Sequence, residues 1–335
     1  MKVKPALLLV VMFAFSCTPS VQKQAEVITF PELSGPYLGQ EPPGMEPVLF
    51  APGIVSTGKN ELNAVFLPQG KELVFSVTYG QMKWALVMMR EENGRWTSPE
   101  VAPFSGTYSD VDPCTSPDGK RIYFCSNRPR SGEGEAEDTF DIWYVEKTDS
   151  SWSDAVNSGS PINSDANEFY PSFTRDGTFY FQSWREGGIG QADIYRSRLT
   201  DGRYTVVECL PEPVNSPAFE GDAFIAPDES YIIVSTFREY ENHGSSDLYI
   251  SFRDEAGGWS ELINMGSKIN SSGGENCQIL SPCGKYLFFT SRRSREDLET
   301  PLTYKDLQEI HNSPLNSGGD IYWVDAGVIE ALRPE

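Results

Sequence analysis

Five carboxylic acids recur along this 335-residue chain, each in the same local setting. Each acid lies six residues before the position equivalent to Ser116, which opens a Pro-Asp-Gly type of turn. Carboxylates gathered around one point can bind a cation or act as an acid–base pair, whereas separate carboxylates usually accept from backbone amides or pair with a nearby Arg. The five acids, called the acid ring below, are Glu61, Asp110, Glu168, Glu220 and Glu275.

Two further charges recur near each acid. An Arg follows the second apolar run and an Asp precedes the third in four repeats, while the first repeat lacks both and has Tyr79 and Lys83 instead. Because a planar guanidinium can hold a carboxylate through two hydrogen bonds, this joint presence and absence predicts structural ion pairs that pin the intervening loop. The predicted pairs are Arg128 with Asp141, Arg185 with Asp193, Arg238 with Asp247, and Arg293 with Asp320.

Short strands around a repeated turn must position these charges. Pro-Asp-Gly at 117–119 precedes the apolar run Ile122-Tyr123-Phe124, and four similar turns precede similar runs. Pro presets its φ and Gly accepts a positive φ, so each copy predicts a tight hairpin. A spacing of roughly 50 residues between copies is typical of propellers.

The fifth repeat has only three strands, and an unpaired strand lies at 47–51. Joining the two in one sheet would remove a bare edge. We therefore predict an all-β fold, a single β-propeller of five four-stranded blades closed by pairing of the N- and C-terminal strands, over residues 46–335. Six blades are the alternative, if one long loop contains a degenerate blade. The repeats lie near 61–105, 110–157, 168–212, 220–265 and 275–325.

The net charge of the chain limits the classes of partner that it is expected to bind. The chain has 48 acidic and 27 basic residues, a formal net charge of −21. Nucleic-acid binding and docking on anionic lipid both need clustered Lys and Arg, so neither is expected.

The amino terminus has the features of a targeting segment. Lys2 and Lys4 precede an apolar run, and small residues then precede Cys17. The run resembles a bacterial lipoprotein signal peptide over 1–16, which implies cleavage before Cys17 and lipid attachment there. An ordinary secretory signal, with Cys17 incidental, is the alternative. Residues 17–45 are rich in Pro, Gly and Gln and predict a flexible tether.

One repeat carries a family resemblance. Ser116-Pro117-Asp118-Gly119-Lys120, then Ser126-Asn127-Arg128, then Asp141-Ile142-Trp143, resembles the WD-like propeller repeat of the TolB family of periplasmic proteins. The resemblance implies a propeller, and many unrelated tasks are carried out on propellers. TolB proteins also have an amino-terminal α/β domain, for which residues 18–45 leave no room.

The first strand of a propeller blade lines the central channel, so the acid ring is expected at one channel mouth. Long loops at 127–139, 186–192, 239–246 and 294–319 would share that face, and a short helix capped by Thr303 is predicted at 304–310, with Leu307 and Ile310 packing. A structural role for the acids is favoured, a bound cation such as Ca²⁺ or a basic ligand is the second interpretation, and no other cofactor is expected.

These features predict a non-catalytic, lipid-anchored protein of the bacterial cell envelope, facing the periplasm or the cell exterior. Its loops would bind a protein, peptide or glycan of the envelope, and the lipid would be its membrane contact. No catalytic residue and no metal ligand is assigned. The alternative is a glycan-active hydrolase or lyase that uses the channel-mouth carboxylates.

Overall fold

The computed structural model describes residues 30–149, 151–238, 241–296, 298 and 300–334. Contacts divide the chain into Met1–Pro31 and Glu32–Glu335, and all the described strands and helices belong to the second unit. The predicted signal peptide at 1–16, Cys17 and the first part of the predicted tether lie outside the described residues. No helix in the described part of the chain is long and apolar enough to cross a membrane.

The described chain forms five small antiparallel blade sheets and one separate two-stranded hairpin, which confirms the all-β, five-bladed propeller. Strand β1 (Val48–Leu49) precedes the first blade. Blade 1 contains β2 (Glu61–Phe66), β3 (Glu72–Gly80), β4 (Lys83–Glu92), β5 (Arg95–Trp96) and β6 (Glu100–Val101); blade 2 contains β7 (Asp110–Thr115), β8 (Arg121–Ser126), β9 (Asp141–Glu146) and β10 (Val156–Asn157).

Blade 3 contains β11 (Glu168–Phe173), β12 (Phe179–Ser183), β13 (Asp193–Ser197) and β16 (Glu208–Cys209), with a separate hairpin of β14 (Leu199–Thr200) and β15 (Arg203–Tyr204). Blade 4 contains β17 (Glu220–Ile225), β18 (Tyr231–Thr236), β19 (Asp247–Phe252) and β20 (Ile263–Asn264). Blade 5 contains β21 (Glu275–Leu280), β22 (Tyr286–Ser291) and β23 (Asp320–Asp325), together with β1.

The ring closes in blade 5 as predicted. Strand β1 pairs with β23 through Val48 opposite Trp323, and the amide of Phe50 donates to the carbonyl of Ile321 at 2.8 Å. The buried Phe50 ring packs 5.3 Å from the ring of Trp323. The first strands of neighbouring blades contact one another in sequence, from β2 through β7, β11 and β17 to β21 and back to β2. These five strands therefore surround the central axis.

Two faces of the propeller differ. The long loops lie on the face where the first strand of each blade begins and the second strand ends. We call it the loop face. The opposite face, the turn face, carries the Pro-Asp-Gly turns, whose Gly119 has φ 67°. In blade 4 the turn has Glu229 at φ 61°, a conformation that favours glycine.

Residues 32–45 differ from the predicted tether because they pack on the propeller. The amide of Trp96 donates to the carbonyl of Leu33 at 2.9 Å, and Leu38 is buried. Tyr37 lies between blades 1 and 5, with ring distances of 5.0 Å to Phe66 and 5.2 Å to Tyr286. We call this segment the N-terminal strap. Its apolar side chains bury against the closing joint, which the Pro- and Gly-rich composition did not reveal.

Two α-helices occur in the described chain, besides a 3-10 turn at Pro36–Gly39 in the N-terminal strap. Helix α1 (Tyr304–His311) begins at Thr303, whose hydroxyl accepts from the amide of Asp306 while the Asp306 carboxylate accepts from the amide of Thr303. The helix and its cap were predicted, but Leu307 is half exposed instead of packed. Helix α2 (Gly327–Glu330) follows blade 5. Cys114, Cys125, Cys209, Cys277 and Cys283 have free thiols.

Candidate functional site

All five ring acids lie at the first position of the first strand of a blade, and their side chains are almost fully buried. Glu168 is representative: its carboxylate accepts from the amide of Ser164 at 3.1 Å and from the hydroxyl of Ser183 at 2.8 Å. A hydroxyl from the preceding connection donates to every ring acid. The donors are Thr57 to Glu61, Ser105 to Asp110, Ser164 to Glu168, Ser216 to Glu220 and Ser271 to Glu275.

The recurrent arginines pair with the ring acids, which corrects the predicted pairing with the recurrent aspartates. Because Glu168 and Ser183 are opposite each other across the first two strands, Arg185 two residues later reaches back to Glu168. Arg185 also donates to the carbonyl of Ile162 in the preceding connection, which draws it away from Asp193. The observed N–O distances are 2.7 Å for Arg128–Asp110, 3.1 Å for Arg185–Glu168, 3.1 Å for Arg238–Glu220 and 3.9 Å for Arg293–Glu275.

The recurrent aspartates hold the loop ends through other donors. Asp193 accepts from the amides of Ile189 and Gly190, at 2.9 and 3.1 Å. Asp247 and Asp320 accept in the same way from loop amides, those of His243 and Leu315. Asp141 instead pairs with Arg130, at 2.7 Å. The loops are therefore pinned at the predicted aspartates, but mainly by their own backbone.

An asparagine precedes three of these five hydroxyls and holds the connection between two blades to the third strand of the blade before it. Asn215 accepts from the amide of Ile194 at 2.8 Å and donates to the carbonyls of Ile194 and Leu210, so it binds the third strand of blade 3. Asn163 and Asn270 make the same exchange with Ile142 and Leu248. We call these contacts the blade joints. Their sequence signal, overlooked above, is Asn-Ser followed four residues later by Glu at 163–168, 215–220 and 270–275.

Burial disfavours the ionised form of two ring acids. Desolvation raises the pKa of Glu61, which has Tyr79 in place of the Arg, and it raises the pKa of Glu220 despite the contact with Arg238. With hydroxyl, amide and Arg donors already in place, the ring carboxylates are engaged in holding the blades. The channel-mouth cation stays a prediction. In the described chain, no three His, Cys, Asp or Glu side chains are arranged as metal ligands.

A second set of five residues was missed by sequence reasoning. Each lies two residues after a ring acid, at a β-bulge where the first strand slips against the second, and each has a φ between 49° and 54°. The sequence signal is positional only, because the side-chain types differ. They are Asn63, Asp112, Tyr170, Asp222 and Cys277, called the bulge residues below.

Two bulge residues are carboxylic acids without a basic hydrogen-bonding partner among the described residues. Desolvation raises the pKa of Asp112 well above its ordinary value, with a further contribution from the charge of Asp222, and desolvation also raises the pKa of Asp222. The amide of Cys277 donates to Asp222 at 3.3 Å. Nearby, Asn63 Oδ1 and Gln278 Oε1 are buried without a hydrogen-bond partner. This arrangement favours protonated carboxyls, or a bound water or cation that would satisfy them.

Aromatic rings form a continuous series on the loop face. Neighbouring centroids are 6.0 Å apart from Trp84 to Phe140, 5.0 Å from Phe140 to Phe169, 5.6 Å from Phe169 to Trp184, and 5.9 Å from Trp184 to Phe219. Trp184 and Phe219 remain 38% and 41% exposed. We call these five rings the aromatic arc. Phe140 is buried and supports the series from below, so the surface that a partner could contact is formed by Trp184 and Phe219, with smaller parts of Trp84 and Phe169.

No protein-family model matches the sequence, and no curated protein matches it. Among solved structures, the chain is similar to TolB from Acinetobacter baumannii (TM-score 0.46, 16% identity), covering 80% of this chain but only 57% of that protein. It is also similar to the putative TolB from Agrobacterium tumefaciens (0.46, 18%, 72% of each chain) and to the α-L-arabinofuranosidase from Lactobacillus brevis (0.47, 11%, 80% and 90%). The likeness to TolB concerns the propeller fold alone.

Proposed function

We propose that this protein is a non-catalytic propeller scaffold of the bacterial cell envelope that binds a protein, peptide or glycan through its loop face. The aromatic arc is the observation that carries the proposal. Large exposed apolar side chains also occur in the adjoining loops, among them Ile189, Phe237 and Tyr304. Aromatic groups on a rigid scaffold provide contact area at a small entropic cost, as in many binding surfaces.

The carboxylates give less support to the alternative, a glycan-active hydrolase or lyase. A glycosidase needs one carboxyl of raised pKa and a partner carboxylate open to the substrate. Glu168 already accepts from Ser164, Ser183 and Arg185 and is fully buried. The other ring acids are also buried and each accepts from a hydroxyl, so substrate would have to displace a structural contact.

The location in the envelope rests on the sequence of residues 1–17. The charged start, the apolar run and the single cysteine at its end are typical of a lipoprotein signal peptide. Metabolic labelling with a palmitate analogue tests the anchor: wild type should be labelled, and Cys17→Ala should not. An unlabelled wild type would remove the anchor while leaving the loop-face proposal intact.

Partner binding is tested by cross-linking in intact envelopes. A photoreactive residue placed beside the arc, at Ile189, should give a discrete cross-linked product. The double variant Trp184→Ala, Phe219→Ala should lose that product, since the arc supplies the contact area. The matched control is the exposed Val206 on the opposite side of the blade: Val206→Ala should retain the product. Equal cross-linking in all variants would exclude the arc as the binding surface.

A further inference from the structure

A cleft of about 850 Å³ lies between blades 2 and 3, and neither the acid ring nor the aromatic arc contributes to it. It is bordered by the turns at 116–118 and 175–177, by the β14–β15 hairpin of blade 3 and by the connection between the blades at 158–162. Its size is within the range of small-molecule sites. The sequence patterns predict a binding surface on the loop face and give no sign of this cleft.

The wall of the cleft is aromatic. Tyr123 and Phe173 are 4.8 Å apart between ring centroids, Phe173 and Phe179 stack at 4.3 Å, and Phe179 and Tyr204 are 5.6 Å apart. The hydroxyl of Tyr204 donates to the carbonyl of Gly177 at 2.8 Å, which fixes this ring in the wall. Phe173 and Tyr204 remain partly exposed. Flat, partly exposed rings can stack against the C–H faces of sugars.

The charge of the cleft is opposite to that of the protein. Its lining includes five basic and three acidic residues, whereas the whole chain has 27 basic and 48 acidic residues. The basic residues are Lys120, Arg121, Lys147, Arg175 and Arg203, and the acidic ones are Asp118, Glu146 and Asp176.

Two of these basic residues are available to a ligand. Arg121 is held by Glu146 at 2.7 Å and lies 4.5 Å from the ring centre of Tyr144. Lys147 is held by Glu72 at 2.7 Å. For Arg175 and Arg203, no ion pair occurs with any described residue, and both side chains are exposed. A guanidinium matches the geometry of a carboxylate through two parallel hydrogen bonds.

We propose that this cleft binds an acidic oligosaccharide, a glycan with uronate units whose rings stack on Phe173 and Tyr204 and whose carboxylates bind Arg175 and Arg203. The ligand class follows from the combination of aromatic wall and free guanidinium groups within a strongly acidic molecule. No residue of the aromatic arc lines this cleft, so it would give the scaffold a second binding function.

Isothermal titration calorimetry with tri-galacturonate tests the proposal, and its fully methyl-esterified form is the uncharged matched probe. Wild type should bind the acid form and bind the ester at least fivefold more weakly. Arg175→Ala and Arg203→Ala should each weaken binding by about fivefold, the upper range for an exposed ion pair. Binding should also weaken as salt rises from about 0.05 to 0.5 M.

Two controls separate this cleft from other parts of the surface. Arg198→Ala removes an exposed Arg near the same hairpin that does not line the cleft, and it should bind like wild type. Trp184→Ala in the aromatic arc should also bind like wild type. The proposal is overturned if wild type does not bind the acid trimer, if it binds acid and ester equally, or if the Arg175 and Arg203 variants match Arg198→Ala.

Discussion

Arg185 donates through Nη2 to Oε1 of Glu168 at 3.1 Å, across the first two strands of blade 3. The same guanidinium donates to the carbonyls of Pro161 and Ile162, which belong to the connection from blade 2. One Arg therefore ties a buried acid to the joint between two blades. The ring acids and the recurrent arginines are parts of a structural device repeated around the propeller.

The first prediction concerns this pair. Arg185→Ala should lower the free energy of unfolding by about 2–4 kcal/mol, because a fully buried carboxylate loses its charged partner. Glu168→Gln should cost a similar amount, and the double variant should cost clearly less than the sum. Chemical denaturation measures all three. The matched control combines Arg185→Ala with Asp193→Ala, and the losses in free energy of unfolding of these two variants should add to within about 0.5 kcal/mol. A coupling energy between Arg185 and Asp193 would contradict the observed pairing of Arg185 with Glu168.

The repeat made the architecture readable from sequence. The recurrent turns, the apolar runs after them and the spare strand before Glu61 indicated both the blades and the closing pair, which the contact of Val48 with Trp323 confirms. These features are encoded locally, in turn chemistry and in strands that must bury both faces. The capped helix after Thr303 could be predicted for the same reason.

The partners of the charged side chains could not be predicted in this way. Ser183 faces Glu168 on one side and Asp193 on the other, so sequence spacing places Arg185 near either acid. The choice depends on the carbonyl of Ile162, which reaches the site from the preceding blade. The aromatic arc and the cleft also combine residues of different blades, and a repeat aligned on itself does not reveal which neighbours meet.

The second prediction concerns the buried carboxyl of Asp112. Its pKa is raised in the folded protein, so the folded state holds its proton more tightly than the unfolded chain does. The contribution of this group to stability is therefore complete at pH values below the unfolded pKa, and falls as pH rises through the window between the unfolded and folded pKa values. Asp112→Asn should leave stability unchanged near pH 3, below the unfolded pKa of about 3.9.

At pH 7 the same variant should stabilise the protein by about 1–3 kcal/mol, because the amide removes the cost of a buried charge. Thermal unfolding across this pH range measures the difference, with Asp138→Asn in an exposed loop as the control. If a cation occupies the channel, the outcome reverses: Asp112→Asn would destabilise at pH 7, and a chelator would do the same to wild type.

The third prediction concerns the blade joints. Asn215→Ala should lower the free energy of unfolding by about 1–3 kcal/mol, because it leaves the amide of Ile194 buried without an acceptor, while the carbonyl of Ile194 keeps the amide of Leu210 as a donor. Asn215→Asp keeps the acceptor for the amide but loses the donor for the carbonyl, so it should also be destabilising. Denaturant titration measures both. The control is Gln191→Ala, an exposed residue near the same strand, which should change the free energy of unfolding by less than about 0.5 kcal/mol. If Asn215→Ala lost as little, the blade joint would not be needed for stability.

The fourth prediction concerns the N-terminal strap, which packs where the ring closes. Tyr37 contacts Phe66 of blade 1 and Tyr286 and Trp323 of blade 5, with ring distances of 5.0, 5.2 and 5.4 Å. Because its ring covers the joint between the first and last blades, Tyr37→Ala should destabilise the protein by about 2–3 kcal/mol. Amide hydrogen exchange should then quicken first in β1 and β23, which carry the closing pair.

Tyr37→Phe is the matched control: it retains the ring and loses only the contact of the hydroxyl with the Cys283 thiol at 3.2 Å, so it should cost less than about 1 kcal/mol. Faster exchange spread evenly over all five blades would mean that the strap stabilises the fold without guarding the closing joint.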